Sequence, residues 1–268
     1  MPTPAARPVA LVTGASSGVG HAYARQLAEG GWDLVPVARR APRLAALAAS
    51  LGSDRVSVVP LVADLTDPAG LAAVEERIGR GVDLLVNCAG FAGYMPFVEL
   101  PPEVAGSLID VHVRAVTRLT GAAVRAMLPR RRGAVINVAS LLAFSESAVL
   151  GRFNRATYAA CKAFIVTFTQ LVAQEVRDQG LRVQVCCPGA VVSEFHDVAG
   201  VPRPPAAMSP EEVVAASLRA LDAGEVVCVP GLEDPNVVER YHDAQREMLR
   251  QGNRPRAGRA VPGRGRLS

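Results

Sequence analysis

The sequence predicts an α/β protein, a doubly wound parallel sheet of about seven strands with helices on both faces. Short apolar runs alternate with longer amphipathic segments along the first 230 residues. The length of 268 residues suits one such domain and is enough to bury a large core. Strands that alternate with helices in this way pair in parallel through right-handed crossovers, and the helices then cover both faces of the sheet.

Seven apolar runs are the predicted strands. They are Val9–Thr13, Asp33–Ala38, Val56–Ala63, Val82–Asn87, Ala134–Ala139, Val183–Cys187 and Val226–Val229. Pro36 lies inside the second run and has no N–H to donate to a neighbouring strand. We therefore expect that strand to be locally distorted.

Six amphipathic segments are the predicted helices, near residues 18–30, 41–51, 68–79, 103–128, 155–179 and 210–223. Two of them have clear start signals. Asp67 precedes Pro68 and Ser209 precedes Pro210, and in each case a capping side chain is followed by proline at the first helical position. Glu212 stands where a capping box places its returning carboxylate.

The chain shows no domain boundary before its end, so residues 1–250 are predicted to form a single domain. Residues 251–268 are rich in Arg, Gly and Pro, and we expect this basic tail to be disordered. The formal charge of +4 includes the five arginines of the tail, which leaves −1 for the rest of the chain. A near-neutral body gives no reason to expect a nucleic-acid partner, although weak contact through the tail stays an alternative.

Cysteine usage and the amino terminus indicate the compartment. The five cysteines are an odd number without a Cys-x-x-Cys pair, which argues against a disulfide framework and against a metal site. The first eight residues lack the charged and apolar regions of a signal peptide, and no stretch reaches 18 apolar residues. We therefore predict a cytoplasmic protein that does not enter a membrane.

A glycine-rich loop follows the first strand and leads into a helix. It reads Thr13-Gly14-Ala15-Ser16-Ser17-Gly18-Val19-Gly20. Glycines let the backbone approach a diphosphate closely, and the helix start offers free N–H groups and partial positive charge. A glycine-rich loop alone often serves only as a tight turn, but strand, loop and helix together predict dinucleotide binding in a Rossmann-type sheet.

The end of the second strand indicates which dinucleotide is preferred. A carboxylate there would bind the adenosine ribose of NAD, whereas the 2′-phosphate of NADP favours arginine. This chain has Arg39 and Arg40 and no acid at that point. Arginine and phosphate form strong bidentate contacts, so NADP(H) is predicted, with NAD(H) possible. The alternative is that both arginines are ordinary solvated charges at a helix start.

Lys162 is the only lysine in the chain, and it lies four residues after Tyr158. With four tyrosines in 268 residues, this spacing arises by chance in roughly one or two per cent of cases. On a helix the two side chains share one face. An ammonium about 4 Å from a phenol contributes about 4 kcal/mol at an effective dielectric near 20, enough to lower the tyrosine pKa by two to three units. The pair therefore predicts a tyrosine that exchanges protons.

These residues resemble the short-chain dehydrogenase/reductase family over about residues 8–230. The matching motifs, in order, are the glycine-rich loop, Asp64 after the third strand, Asn87-Cys88-Ala89-Gly90, Ser140 closing Asn137-Val138-Ala139-Ser140, Tyr158-x-x-x-Lys162 and Pro188-Gly189. Each motif alone is weak, but six of them in the family's order are specific.

The resemblance implies a function and a set of site residues. Tyr158 would be the general acid/base, Lys162 would hold the nicotinamide ribose and lower the tyrosine pKa, and Ser140 would polarise a substrate carbonyl. Such an enzyme interconverts a ketone or aldehyde and an alcohol by hydride transfer. The residues implied to bind the cofactor are Gly14, Ser16, Ser17, Gly18, Val19, Gly20, Arg39, Arg40, Asp64, Leu65, Asn87, Ala89, Gly90, Tyr158, Lys162, Pro188, Gly189, Val191 and Ser193.

Three positions depart from the family pattern. His112 stands where asparagine is usual, and it either relays protons through water toward Lys162 or only fills space. The interval from Ser140 to Tyr158 is lengthened by residues 149–155, which puts Ser145 nearer the usual spacing, although Ser140 lies at the strand end. Ser193 replaces the more common threonine and keeps the hydroxyl.

Substrate and assembly are less closely specified. Aromatic and methionine side chains in the loops after the strands could build an apolar pocket for a hydrophobic ketone or aldehyde, or could pack within their own loops. They are Phe91, Tyr94, Met95, Phe144, Phe153 and Phe195. The proline-containing stretch 191–210 is a candidate lid. The resemblance also implies a homodimer or homotetramer, and the rival function is a non-catalytic NADP(H)-binding sensor or scaffold.

Overall fold

The computed structural model describes residues 7–148, 150, 153–194, 206–234 and 236–253. Its centre is a seven-stranded sheet in which every neighbouring pair is parallel and the order is β3-β2-β1-β4-β5-β6-β7. The strands are β1 (Val9–Thr13), β2 (Asp33–Ala38), β3 (Leu61–Val62), β4 (Leu84–Asn87), β5 (Gly133–Val138), β6 (Leu181–Cys186) and β7 (Val227–Cys228). The chain order reverses between β1 and β4, which is where doubly wound sheets bind ligands.

The predicted strands are confirmed, and the first two have the predicted bounds. The third is much shorter than its apolar run, since only two residues pair as a strand. Leu34 bridges to Val58, and ladder pairing resumes where Val37 meets Leu61, which leaves Pro36 in the gap between the two contacts. The missing donor of Pro36 thus coincides with the interruption between β2 and the edge strand β3, while the pairing of β2 with β1 is continuous.

The described residues contain eight α-helices. They are α1 (Gly18–Glu29), α2 (Ala41–Leu51), α3 (Pro68–Gly79), α4 (Pro102–Ile109), α5 (Val116–Met127), α6 (Ala156–Glu175), α7 (Pro210–Asp222) and α8 (Asn236–Gly252). Both predicted caps are present. The Asp67 side chain accepts from the N–H of Gly70, and Ser209 and Glu212 form a reciprocal capping box at the start of α7.

The segment predicted as one helix near 103–128 is interrupted by a π-helical turn. This turn, Asp110–Ala115, joins α4 to α5 and contains His112. A π turn is wider than an α turn and is frequently found at functional sites. It carries the His112 side chain into the interior, where 1% of the residue is exposed.

Alternate residues of the strands face opposite layers of helices, as strand geometry requires. One core cluster joins Val12 and Ile136 of the sheet to side chains of α1, α2 and α7. The opposite cluster joins Leu11 and Val135 to side chains of α3 and α5. Helix α6 packs on β6. Residues adjacent along one strand therefore belong to different cores, and the sheet is covered on both faces.

The contacts divide the chain after Gly231, whereas the sequence prediction continued a single domain to residue 250. The second unit contains α8, a helix that the sequence prediction did not include. None of its side chains is buried. Ion pairs such as Arg246 with Asp243 and Arg250 with Glu247 run along it, and pairs three residues apart support a helix without a core. The predicted disorder of the tail concerns residues almost entirely outside those the structure describes.

Candidate active site

A cavity of about 1130 Å³ lies at the carboxyl ends of the strands. Every residue of the predicted catalytic and cofactor-binding set lines it except Asn87. Residues separated by up to 180 positions in the chain thus meet in one cleft, because parallel strands end at the same edge of the sheet. Its lining runs from the glycine-rich loop and β2 to Ser140, Tyr158 and Lys162.

The glycine-rich loop lies directly against the end of β4. Gly14 has a φ of +72°, and a Cβ placed there would be 2.8 Å from the Cα of Ala89. Any larger residue would therefore need an unfavourable backbone conformation and would push the two loops apart. The Thr13 hydroxyl holds them together by accepting from the N–H groups of Cys88 and Ala89, at 2.9 and 3.0 Å.

Arg40 connects the end of β2 to the start of α1. Its guanidinium donates to the Ser16 hydroxyl at 2.9 Å and to the Ser17 hydroxyl at 2.7 Å. Ser17 is the residue before the helix, but its side chain makes no capping hydrogen bond. The first N–H groups of α1 are therefore not capped by Ser17, and they lie beside the cavity lining, where an anion would be favoured.

Ion pairs surround this end of the cavity. Arg39 lies 3.6 Å from the carboxylate of Asp64. Arg40 and Arg43 both contact Glu194, at 3.1 and 2.7 Å. Hydrogen bonds from Arg43 and then Arg40 lower the pKa of Glu194. Sequence reasoning missed Arg43 and Glu194, since neither belongs to a motif and their pairing depends on the tertiary fold.

At the other end, one turn of α6 presents Tyr158 and Lys162 to the cavity, and each residue is 5% exposed. The Lys162 ammonium donates to the backbone carbonyl of Val138 at 3.0 Å and lies 5.6 Å from the centre of the Tyr158 ring. Ser140 caps a short 3₁₀ helix, Leu141–Phe144, and its hydroxyl is hydrogen-bonded to that of Tyr158. The predicted grouping of these three side chains is thus present in the structure.

The pKa of Tyr158 is raised, whereas the sequence argument predicted that Lys162 would lower it. Burial, followed by the neighbouring Tyr94, raises the pKa of Tyr158 well above its usual range, and the hydrogen bond to Ser140 only partly opposes this. Burial also lowers the pKa of Lys162 itself, to about 8, so the uncharged form is favoured at both residues. Removal from water thus outweighs the attraction between ammonium and phenolate that the sequence argument considered alone.

His112 is held in a close-fitting position between two neighbours. Its Nε2 lies 3.0 Å from the carbonyl oxygen of Phe91, and its ring stands edge-on to Tyr158 with centroids 5.6 Å apart. A Cβ on Gly90 would be 2.3 Å from His112 Cε1, so only glycine leaves room for this ring. Nδ1 is buried and has no hydrogen-bond partner among the described residues. Burial, and then the charge of Lys162, lowers the pKa of His112 to about 3.

The structure separates the two candidate serines. Ser145 donates to the carbonyl of Leu142 at 2.7 Å and accepts from Arg155 Nε at 2.8 Å. Arg155 also binds the carbonyl of Phe153 at 2.9 Å. Ser145 therefore anchors the end of the lengthened segment, whereas the Ser140 hydroxyl meets Tyr158. This geometry supports the choice of Ser140.

Four of the predicted pocket aromatics line the cavity, namely Phe91, Tyr94, Phe144 and Phe153. Tyr94 packs against Phe153 with ring centroids 4.6 Å apart and against Tyr158 at 5.2 Å. Met95 does not line the cavity. Phe195 and most of the predicted lid lie outside the described residues. The lengthened segment therefore contributes an aromatic side chain beside the predicted catalytic tyrosine.

Asn87 is buried and does not line the cavity, so its contact with a cofactor stays a prediction. Its amide donates to Asn137 at 2.9 Å and to Thr120 at 3.2 Å. Asn137 in turn donates to Thr169 at 3.0 Å. This buried network links β4, β5, α5 and α6. Such a network holds elements in one arrangement because each buried polar group needs its partner.

Two further observations bear on rival kinds of site. Among the described residues, no group of three or more His, Cys, Asp and Glu side chains is placed to hold a metal ion. Helix α6 is long and apolar enough to cross a membrane by length and composition alone. It carries Tyr158 and Lys162 into the cavity and buries Ile165, so its apolar character serves the protein core.

Known proteins resemble this chain in sequence and structure. The family model for short chain dehydrogenases matches residues 8–200. The 3-oxoacyl-[acyl-carrier-protein] reductase FabG of Escherichia coli (strain K12) is 33% identical over 190 residues, covering 70% of this chain and 75% of that enzyme. A short-chain dehydrogenase from Sphingobium yanoikuyae, solved in complex with NADPH, is 35% identical and superposes with a TM-score of 0.88 over 94% of this chain and 99% of its own.

A second solved structure is the bulky-bulky ketone specific alcohol dehydrogenase from Comamonas testosteroni. It is 29% identical, with a TM-score of 0.85 over 95% of this chain and 99% of its own. The family match covers more than half of the chain, and the sheet and the residues around the cleft follow the motif order set out above. The chain is a member of the short-chain dehydrogenase/reductase family, oxidoreductases that act on CH–OH groups with NAD(P).

Proposed function

We propose that this protein is an NADP(H)-dependent oxidoreductase that interconverts a bulky hydrophobic ketone or aldehyde and its alcohol. The observation that carries the proposal is the meeting of Ser140, Tyr158 and Lys162 in the cavity that the glycine-rich loop also lines. The close approach of Gly14 to Ala89 and the start of α1, which has no side-chain cap from Ser17, fit a dinucleotide diphosphate.

Bound NADP(H) supplies or accepts the hydride. The residues of the chain act on the substrate oxygen, where negative charge develops during reduction. Ser140 and Tyr158 donate hydrogen bonds to that oxygen, and Tyr158 then transfers its proton. Because burial raises its pKa, Tyr158 is protonated at neutral pH and is ready to act as the acid. Lys162 would hold the nicotinamide ribose and would supply positive charge behind the phenol.

The arginines at the end of β2 support NADP(H) over NAD(H). Arg40 already lies against the Ser16 and Ser17 hydroxyls of the glycine-rich loop, so guanidinium and hydroxyl donors converge on one point. A 2′-phosphate there would receive charge-assisted hydrogen bonds. Arg39 is the second candidate donor, and Asp64 is placed to contact the adenine.

His112 is proposed to replace the usual asparagine as an acceptor beside Lys162. The carbonyl of Phe91 can only accept, so Nε2 carries the ring hydrogen and Nδ1 keeps a lone pair. With a pKa of about 3 the ring is neutral at physiological pH. A water bound to Nδ1 would extend the proton path from Tyr158 and Lys162, and it would satisfy the buried nitrogen.

The aromatic lining supports a bulky hydrophobic substrate. Tyr94 packs edge-on against Tyr158 and tilted against Phe153, and Phe144 lines the same cavity. Aromatic walls bind apolar groups, and the similar Comamonas enzyme is a bulky-bulky ketone specific alcohol dehydrogenase.

Assembly and location follow the family as proposals. We propose a homodimer or homotetramer built on the α4–α5 and α6 helices. We also propose a cytoplasmic enzyme with a single catalytic domain, with neither membrane nor nucleic acid as partner.

The test is NADPH oxidation measured with a panel of ketones and aldehydes that differ in size on both sides of the carbonyl. We expect turnover with bulky aryl ketones and a loss of at least 10³-fold in kcat for Tyr158→Phe, with the NADPH Kd changed less than threefold. Turnover retained in Tyr158→Phe would contradict the assigned role. NADPH binding without turnover of any panel member would favour the sensor or scaffold alternative.

A further inference from the structure

Arg40 and Arg43 lie at the adenosine end of the cavity, which is the end where the proposed function puts the adenosine of the cofactor. They already pair with an anion from the chain itself, the carboxylate of Glu194. Glu194 Oε2 accepts from Arg40 Nη1 at 3.1 Å, and both oxygens of Glu194 accept from Arg43 Nη1, at 2.7 and 2.8 Å. Arg40 makes these contacts while its other nitrogens bind Ser16 and Ser17. One guanidinium therefore joins the glycine-rich loop to the segment after β6.

That segment is held in place by backbone contacts. Val192 donates to the carbonyl of Met208 at 2.9 Å, and Met208 donates to that of Ala190 at 3.0 Å. A Cβ on Gly18 would lie 3.3 Å from Ser193 Cβ, so the segment runs directly along the glycine-rich loop. Glu194 is thus positioned at the mouth of the cavity and is one of its lining residues.

Stability of the fold does not account for this arrangement. The side chains of Arg40, Arg43 and Glu194 are all exposed by 43–46%. Ion pairs at such exposure contribute little to folding, because water solvates the separated charges nearly as well. A ligand anion that binds the same arginine donors would have to displace the Glu194 carboxylate from them.

We propose that Glu194 is an internal counter-anion that competes with the cofactor 2′-phosphate for Arg40 and Arg43, and so limits the preference for NADP(H) over NAD(H). The inference rests on the proposed function, since it assumes that the 2′-phosphate binds at Arg40. The facing charges are Arg39, Arg40 and Arg43, opposed by Asp64 and Glu194, a net charge of +1. Loss of Glu194 would raise it to +2 and free the Nη1 donors for phosphate.

The experiment measures Kd for two matched pairs of probes, NADPH against NADH and 2′,5′-ADP against 5′-AMP. The proteins are wild type, Glu194→Gln and the control Glu29→Gln, whose carboxylate pairs with Arg25 on α1 at 3.6 Å. We expect Glu194→Gln to tighten NADPH and 2′,5′-ADP three- to tenfold, with NADH and 5′-AMP changed less than twofold. The control should leave all four constants within twofold of wild type.

Two outcomes would overturn the inference. Weaker 2′,5′-ADP binding by Glu194→Gln would show that Glu194 orients Arg40 for the phosphate, and unchanged binding would show that it does not compete. Arg40→Ala separates this failure from failure of the proposed cofactor site. If Arg40→Ala weakens NADPH while Glu194→Gln changes nothing, only the role of Glu194 is wrong; if Arg40→Ala leaves NADPH binding intact, the 2′-phosphate site itself is wrong.

Discussion

The two ends of the cavity use charge in opposite ways. At the adenosine end, Arg40 and Glu194 are nearly half exposed and pair in contact with water. At the catalytic end, Tyr158, Lys162 and His112 are almost wholly buried. Burial changes the pKa of all three, toward the uncharged form in each case.

Under the proposed function, this difference separates cofactor recognition from catalysis. Exposed ion pairs exchange partners at little cost, which suits a site that must release its cofactor after each turnover. Buried ionisable groups are expensive to charge, which suits a site that must hold or transfer one proton at a defined atom. Substitutions at the buried end should therefore change folding stability and the rate of turnover. Substitutions at the exposed end should change cofactor affinity.

The largest expected effect is at Lys162. We expect Lys162→Met to lower kcat by at least 10²-fold, because no ammonium remains to hold the ribose. The same change should stabilise the fold by about 1–3 kcal/mol at pH 7, since the pKa of Lys162 is about 8 rather than 10.5. Kinetics and chemical denaturation measure the two effects separately.

The size of the stabilisation expected for Lys162→Met depends on pH. Below about pH 8 the folded protein carries a buried charge, so its full cost is present. Between pH 8 and 10.5 the unfolded state binds more protons, and stability of the wild type rises with pH. The advantage of Lys162→Met should therefore disappear above pH 10.5. If Lys162→Met were more stable than the wild type by the same amount from pH 8 to pH 10.5, the cost assigned to burying the Lys162 charge would be wrong.

An intermediate effect is expected at His112, whose pKa is about 3 instead of 6.5. As pH falls from 6.5 to 3, the unfolded state takes up a proton that the folded state does not, so stability is lost. Between pH 7 and pH 4.5 the free energy of unfolding of His112→Asn should therefore fall by about 2 kcal/mol less than that of the wild type. Denaturation at both pH values tests this, with the half-buried His21→Asn as control.

The same variant tests the proposed positioning role. Asparagine offers an acceptor near that of Nδ1, so His112→Asn should retain kcat within tenfold, whereas His112→Leu should lose more and shift the pH–rate profile. Equal activity in both variants would leave His112 with a packing role only.

The smallest effect is expected at the exposed end. Arg40→Ala should weaken NADPH binding about tenfold, or about 1.4 kcal/mol, while NADH changes less than twofold. The difference should shrink as salt is raised, because exposed charges are screened. Calorimetric titration at two ionic strengths measures it, with Arg25→Ala as the control. A loss that is equal for both cofactors would assign Arg40 a structural role in the loop.

Local sequence determined the elements and their chemistry. The strands, the caps at Asp67 and Ser209, and the pairing of Tyr158 with Lys162 on one helical face depend on residues within a few positions of each other. The seven-stranded parallel sheet could be predicted from the alternation of these strands and helices, and the family from the order of the motifs along the chain. Helix α8 was missed because most of its residues are charged or polar, and none of its side chains is buried.

What only the tertiary structure decided was the environment of those residues. The π turn at 110–115 places His112 beside Tyr158, the fold brings Glu194 to Arg40 across 154 positions, and Asn87 lies in a buried network rather than in the cavity wall. The direction of the Tyr158 pKa was likewise outside the reach of sequence. It follows from the water that the whole fold excludes, and that exclusion is a property of packing rather than of any neighbouring residue in the chain.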